Sequence, residues 1–566
     1  MSRELQELRV QHSSKTRATS TTSTESGFSQ DVSGASGHTQ KEAPADNFHL
    51  SVEVLGLGDV SVTNQTAVEA FRIFAAFHLP HLPILGPICI ETIYHTSPFL
   101  FWTIIVVVAK HSSVPSDEGL FGRLEAPYQQ LVKDEILQAP LPLQTIQALL
   151  ILCMWPMPVE KQPQDPSWLY CGIAVNAAVF IGLHRPNSTG SLRSVGISPA
   201  MREAKILTWL GCFYVSSSLA MHLGLPPIVN SSDLTTINTL LNEHSIPRGF
   251  GAEIKLHIIV TNFTNILSHD SNDGVVDSSI LRLFDREIDT LKVAYPDQWT
   301  RMAESSALVA KIYIYALIIT RGRAGTVSRD ILLKLALSAA LRIIQLAKSR
   351  FSDETPEPFN LTVVQRQRTM VKNYFRGLAF ATAFLLRYFS LDNAASMEER
   401  QLAANHVILS HTIFKSCSVY PRDEHGRVAA LFETLCQKAP VFFDPDKLRV
   451  TDRMGVSILL DAINTASELR GNCSEAVQVS EPHMEENPVI NVPEPIDSDN
   501  TQDPSSSSSS YEPAAAAHAF EPWMLDTAAF PSEFWTDQVW DIFNFPEASS
   551  QFHTAGGGEG DHDYSL

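Results

Sequence analysis

WLYCGIAVNAAVFIGLHRP, residues 168–186, is the stretch that decides the fold class. Trp168, Gly172, Val175, Val179 and Gly182 recur at intervals of three or four residues, the period of an α-helix rather than of a strand. The end of the helix is equally readable. His184 and Arg185 stand where the helix dipole favours cations, and Pro186 cannot continue the backbone hydrogen bonding. Gly172, Ala174, Ala177 and Ala178 are small enough for a neighbouring helix to come close.

Working outward, the blocks on either side read the same way. Residues 143–153 start a helix at Leu143 that stops at Trp155-Pro156-Met157-Pro158. Residues 97–111, SPFLFWTIIVVVAKH, place Ser97 as cap and Pro98 in the first helical position. That helix is apolar on every side, as in the interior of a larger bundle. Downstream, Ser198-Pro199 opens a helix whose apolar face is Ile206, Trp209, Leu210, Phe213 and Leu219, closed by Gly224-Leu225-Pro226-Pro227. A segment at 66–79 begins the body, with Thr66 as cap and Pro80, Pro83 and Pro87 breaking the pattern. Further helices are predicted at about 252–267, 278–294, 300–322, 328–350, 362–390, 398–419, 427–438 and 451–470. Little of the chain alternates with the period of a strand, so 48–470 is predicted to be one large all-α, multi-helix domain.

The flanks differ in composition. Residues 1–47 are rich in Ser, Thr, Gln and Gly and are expected to be disordered, since they cannot bury enough apolar surface to offset chain entropy. Leu5 and Leu8 sit among charges there; they fit a frayed helical turn better than a coiled-coil repeat. From Gly471 onward there is no Lys or Arg, against 18 acids. The formal charge of −20 therefore belongs almost wholly to the C-terminal tail, and residues 1–470, with 44 acids and 42 basic residues, are close to neutral. Residues 471–515 read as a flexible acidic linker, with the serine run 505–510 inside it. In 516–566, by contrast, acids interleave with Phe520, Trp523, Leu525, Phe530, Phe534, Trp535, Trp540, Ile542, Phe543 and Phe545. Acids keep such side chains solvated until a partner's groove orders a short amphipathic turn; in DQVWDIFNF (537–545), Trp540 and Phe543 are one turn apart. The bland reading is a C-terminal helix docked on its own core, and docking as an off state satisfies both.

Enzyme signatures are absent: there is no H-E-x-x-H, no G-x-S-x-G and no phosphate-binding loop, and Gly56-Leu57-Gly58 lacks a third glycine. His78 and His81 have ligand-like spacing but no second pair, so they are expected to be ordinary solvated or hydrogen-bonded histidines. The seven cysteines are scattered, mostly among apolar residues, without a C-x-x-C pair, as for reduced core thiols. The N-terminus lacks an apolar signal region and the run 99–109 is too short to span a bilayer, so a soluble intracellular protein without a membrane partner is expected.

Residues 168–186 resemble the W-x-x-x-G-x-A-x-x-x-A-x-x-x-G-L-H-R segment of the fungal-specific transcription factor domain, the large middle region of fungal zinc-cluster regulators. The matching positions are Trp168, Gly172, Ala174, Ala178, Gly182, Leu183, His184 and Arg185. EAKILTWLGCFYVSSSLAMHLGLPP (203–227), with Trp209, Gly224 and Pro226, is similar to the next helix of that family, and the likeness spans about 65–470. Where family members often carry two arginines, an aspartate and Gly-Arg-Pro, this chain has Ala204 and Lys205, Ser216, and Gly224-Leu225-Pro226. Together with the 97–111 block, these differences point to the branch similar to leucine-biosynthesis and weak-acid-response regulators.

The resemblance implies a nuclear regulator of RNA polymerase II genes. Its helical core would hold an inhibited state or sense a small-molecule effector, its tail would recruit coactivators, and a family member could complete a homo- or heterodimer. Members usually begin with six cysteines holding two zinc ions, and none of these stands in this sequence. No cofactor is therefore expected in the chain itself, zinc entering only with a cluster outside it, and direct DNA binding is not supported. The alternative is a co-regulator without DNA binding that pairs with a complete zinc-cluster factor.

Overall fold

The computed structural model describes residues 47–478 apart from 112–118, 160, 186–198, 230–232, 248, 270–277, 321–325, 352–358, 360, 392–394, 421–422 and 439–452. Residues 1–46 and the tail carrying Trp523, Leu525, Phe530, Phe534, Trp535, Trp540, Ile542, Phe543 and Phe545 lie outside the described residues.

The body is all-α, as its periodicity requires, with seventeen helices among the described residues and one hairpin. The hairpin, β1 (Val54–Leu57) and β2 (Val60–Thr63), pairs Leu55 with Val62, both buried, across a turn at Gly58 and Asp59. Four residues per strand are too few to show as alternation in sequence, although Gly58, at φ +58°, supplies the left-handed conformation that a tight turn uses. Thr63 then caps α1 (Asn64–Ile73) by accepting from the Thr66 amide at 3.3 Å. The predicted 66–79 helix does not run regularly to its end: it widens into a π-turn at Phe74–His78 and tightens into a 3-10 turn at Leu79–His81, where Pro80 removes a donor.

Next come α2 (Ile90–Thr96), α3 (Pro98–Lys110), α4 (Leu120–Glu135), α5 (Leu143–Met154), α6 (Ser167–Phe180) and α7 (Pro199–Leu223). Ser97 caps α3 as expected, accepting from the Leu100 amide at 3.3 Å, and every residue from Phe99 to Ala109 is buried. Helix α4 carries Pro127 in its interior, which hides it from a reading that treats proline as a stop. Helices α3 and α5 pack together, and α6 and α7 cover α5.

The second group is α8 (Asp233–Glu243), α9 (Phe250–His269), α10 (Ser278–Ala294), α11 (Arg301–Thr320), α12 (Thr326–Phe351), α13 (Val363–Arg368), α14 (Lys372–Leu391), α15 (Met397–Cys417), α16 (Glu424–Lys438) and α17 (Ser457–Gln478). The predicted helix 362–390 is in fact two, α13 and α14, parted at Thr369–Val371. Trp155 explains the break: its indole N–H donates to the freed Thr369 carbonyl at 2.8 Å. Helix α17 runs to Gln478, past the compositional change at Arg470, because nothing from Gly471 to Gln478 forbids helix. Helix α14 is the centre of this group, packing on α11, α12, α15 and α17 and also on α7 of the first group. One hydrophobic core extends from Leu50 to Ala466. Helices α7 and α11 are long and apolar enough to cross a membrane, yet 89% and 72% of those windows are buried within the protein, as in core helices.

Candidate functional site

Three helix N-termini, those of α6, α14 and α16, meet around a set of charges that the sequence leaves far apart. Asp165, in the loop before α6, is the hub. Its carboxylate accepts from the Ser167 amide at 3.0 Å and hydroxyl at 2.6 Å, holding the first turn of α6. It also pairs with Lys372 and, at 3.2 Å, with Arg376, one turn further along α14. Lys372 reaches the Ser167 hydroxyl at 3.0 Å, and Arg376 bonds Glu424, the first residue of α16, at 3.2 Å.

These groups are largely withdrawn from water: the side chains of Asp165 and Lys372 are 8% and 2% exposed. Burial by itself would raise the Asp165 pKa, but Lys372 and Arg376 together outweigh it and hold the carboxyl well below the usual carboxylate range. Glu424 is likewise lowered, burial being overcome by Arg376 and Lys372.

Asp423 closes the far side. It accepts from the amides of Val419 at 2.7 Å, Tyr420 at 3.1 Å and Gly426 at 2.7 Å, and from the Ser418 hydroxyl at 3.0 Å, tying the α15–α16 loop to the first turn of α16. Arg368 donates to the last carbonyls of α15, those of Ser416 and Cys417, and to that of Ser418. Arg427 reaches back to the Val159 carbonyl.

On the near side Lys110, at the end of α3, donates to the Pro156 carbonyl at 2.6 Å. It makes no ion pair among the described residues. Burial pushes its pKa down to about 8, against the partial opposition of Glu424 and Asp423. Between these walls lies a cavity of about 50 Å³, with Met154, Trp155, Met157 and Phe375 as its apolar side. A roomier groove of about 400 Å³ opens elsewhere beside Leu79, Pro83 and Leu207, but Glu203 is its one charged side chain. The smaller cavity has the convergent polar groups that a specific site needs.

The residues singled out from sequence serve a different purpose. Gly182, at φ +83°, ends α6, and the Leu183 amide bonds the Ala178 carbonyl at 2.9 Å. Gly224, at φ +63°, ends α7 in the same way, and a Cβ there would lie 2.2 Å from the Arg453 carbonyl oxygen. His184 meets buried Trp209 edge-on at 6.1 Å, whereas Arg185 and Pro226 are exposed and Trp168 is half-buried. Ala174 and Ala178 are buried as expected of a close helix contact; Gly172 is not such a contact, since a Cβ there would meet nothing within 4 Å. His78 is buried rather than solvated, its ring stacked on Phe74 at 5.4 Å and 5.1 Å from Trp155. Among the described residues no three His, Cys, Asp or Glu side chains gather as metal ligands, and the described cysteines do not fit a zinc cluster.

Residues 72–249 match the family model described as the fungal specific transcription factor domain. This segment of the chain is thus similar to a fungal-specific transcription factor domain. The chain is also similar to the transcriptional regulatory protein SEF1 of Candida albicans, 32% identical over 246 residues, which are 42% of this chain and 26% of that one. The putative transcription factor SEF1 of Kluyveromyces lactis is 29% identical over 274 residues, 47% of this chain and 24% of that one. The regulatory protein LEU3 of Saccharomyces cerevisiae is 28% identical over 201 residues, 32% of this chain and 22% of that one. The chain thus spans about a quarter of the length of the curated relatives it matches. No solved structure matches it. Within the charge cluster, the matched segment of the domain supplies Lys110, Trp155 and Asp165, while Lys372, Arg376 and Glu424 come from beyond it.

Proposed function

We propose that this protein is a fungal regulator of RNA polymerase II transcription that acts in the nucleus and is not an enzyme. The observation that carries the reading is the match of 72–249 to the transcription factor domain, together with relatives that are themselves transcription regulators. In this reading the helical body is the regulatory core, and it receives a small-molecule effector at the charge cluster. That cluster joins the matched segment to α14 and α16, so occupancy would bias how the two groups of helices pack. The tail, 516–566, recruits coactivators through Trp523, Leu525, Phe530, Phe534, Trp535, Trp540, Ile542, Phe543 and Phe545, displayed among acids.

Tethering residues 471–566 to a heterologous DNA-binding domain tests the tail. A reporter should be activated, and Trp540→Ala with Phe543→Ala should reduce its output about tenfold, the loss expected when two aromatic anchors are removed. Unchanged output would sink the assignment. The near-neutral charge of the body, with no evident basic face, favours a second reading in which the chain pairs with a complete zinc-cluster factor and modulates it. Co-purification of such a partner from nuclear extract supports that reading, and its absence counts against it.

A further inference from the structure

We propose that Lys110 is a site of reversible carbamylation, its amine taking up carbon dioxide in the cavity between α3, α14 and α16. The inference goes beyond the reading above: it concerns covalent chemistry at one side chain and stands whether or not a diffusible effector binds the cluster. The reaction balances without a co-reactant. The lone pair of the neutral amine attacks the carbon, and one C–O π pair moves onto oxygen as the N–C bond forms. The amine then gives up one proton to water, which reaches Lys110 because the residue is only half-buried.

Charge balance is the first support. Five cations, Lys110, Arg368, Lys372, Arg376 and Arg427, line or adjoin the cavity against three carboxylates, Asp165, Asp423 and Glu424. Carbamylation turns the Lys110 cation into an anion, so the cluster becomes four against four. Lys110 is also the cation without a carboxylate of its own. Lys372 and Arg376 engage Asp165 and Glu424, and the amides of its own loop engage Asp423. Lys110 instead donates to the Pro156 carbonyl and makes no ion pair among the described residues. His425 lines the same cavity, and its Nε2 has no hydrogen-bond partner among the described residues. Burial keeps His425 and His111 neutral at pH 7, so neither adds to the balance. In the tautomer protonated at Nε2, His425 can donate to a carbamate oxygen.

The second support is reactivity. Only a neutral amine attacks carbon dioxide, and with its pKa pushed down by burial to about 8, roughly a quarter of Lys110 is neutral at pH 7.5. For an ordinary solvated lysine that fraction is on the order of 0.1%. The third support is size. About 50 Å³ holds the three atoms that carbon dioxide adds to the amine, and Met154, Trp155, Met157 and Phe375 form an apolar side. An uncharged molecule enters along such a wall without the desolvation cost of an ion.

The test uses the purified full chain equilibrated with carbon-13 bicarbonate and carbonic anhydrase, which supplies dissolved carbon dioxide. Triethyloxonium fixes lysine carbamates as ethyl esters, and peptide mass spectrometry locates them. At pH 7.5 Lys110 should carry at least about tenfold more trapped carbamate than the exposed Lys133 or Lys415. At a fixed pressure of carbon dioxide its labelling should rise at least about tenfold from pH 6.5 to 8, because the ammonium must first lose its proton. A protein-bound carbamate resonance in the carbon-13 NMR spectrum should vanish in Lys110→Met, which keeps the volume and should leave Tm within about 2 °C. Lys110→Arg keeps the charge but is never neutral, and it should be equally unlabelled. Absence of trapped carbamate at Lys110, labelling no greater than at Lys133, or a resonance unchanged in Lys110→Met would each overturn the proposal. The peptide map is read on the unaltered protein, so it decides the matter even where a variant fails to fold.

Discussion

Glu253 of α9 shows how a single group can set part of the pH response. Its Oε1 accepts from the Ser306 hydroxyl at 3.1 Å, and Oε2 has no partner among the described residues. Burial pushes its pKa up to about 7, only partly offset by Ser306. The folded protein therefore keeps a proton that the unfolded chain releases from its ordinary pKa of 4.5 upward, so stability falls as pH rises from 4.5 through 7. Glu253→Gln retains an oxygen for Ser306 and removes the charge. We expect it to stabilise the protein by roughly 2 kcal/mol at pH 8 and by little at pH 5, read from urea midpoints at the two pH values. Equal effects at both would show that the carboxyl titrates normally. Nothing in the sequence marks Glu253, because one acid in an amphipathic helix reads as solvent-facing until the neighbouring helix is placed.

At the scale of elements, Asp165 fastens α6 to α14, and through Arg376 to α16. Asp165→Asn leaves Lys372 and Arg376 buried with their main counter-charge gone, a change that costs about 3–5 kcal/mol in comparable pairs. Asp165→Asn combined with Lys372→Met should recover much of that loss, because the second change removes the stranded ammonium. Calorimetric unfolding of the two variants checks this; a double variant no more stable than the single one would mean that the pair is not what joins these helices. The start of α3 was legible from Ser97-Pro98, since a cap and a first-turn proline act within one turn, and α7 begins at Pro199, the first-turn proline of its segment. The break between α13 and α14 was not, because its cause, Trp155, lies 214 residues away in sequence.

For the whole molecule, buried histidines dominate the response to acid. Burial lowers His78 and His257 to about 3, and His222 and His425 to about 4. An unfolded histidine takes its proton near 6.5, so between 6.5 and these values the unfolded chain binds more protons and stability falls as pH drops. We expect the urea midpoint to fall steeply from pH 6.5 to 4.5. Glu253 works in the opposite sense over the same range, so the fall should be steeper still in Glu253→Gln. A midpoint that stays level across this range would show that these imidazoles gain protons in the folded state.

By itself the sequence determined the helical class, the starts of several helices, the contrast between a near-neutral body and an acidic tail, and the family resemblance. All of these depend on residues a few positions apart or on composition: a helix is built from bonds four residues long, and a cap acts within its first turn. Even the signature glycines Gly182 and Gly224 are local in this sense, since they end helices. Only the tertiary structure decided which charges meet. Asp165 and Lys372 are 207 residues apart, and Val159 and Arg427 are 268 apart. A lone Asp before a helix or a Lys at the start of one has an ordinary solvated reading in sequence. The cluster exists because the packing of the helical bundle brings those side chains together on one buried surface, where low polarity makes their pairing matter.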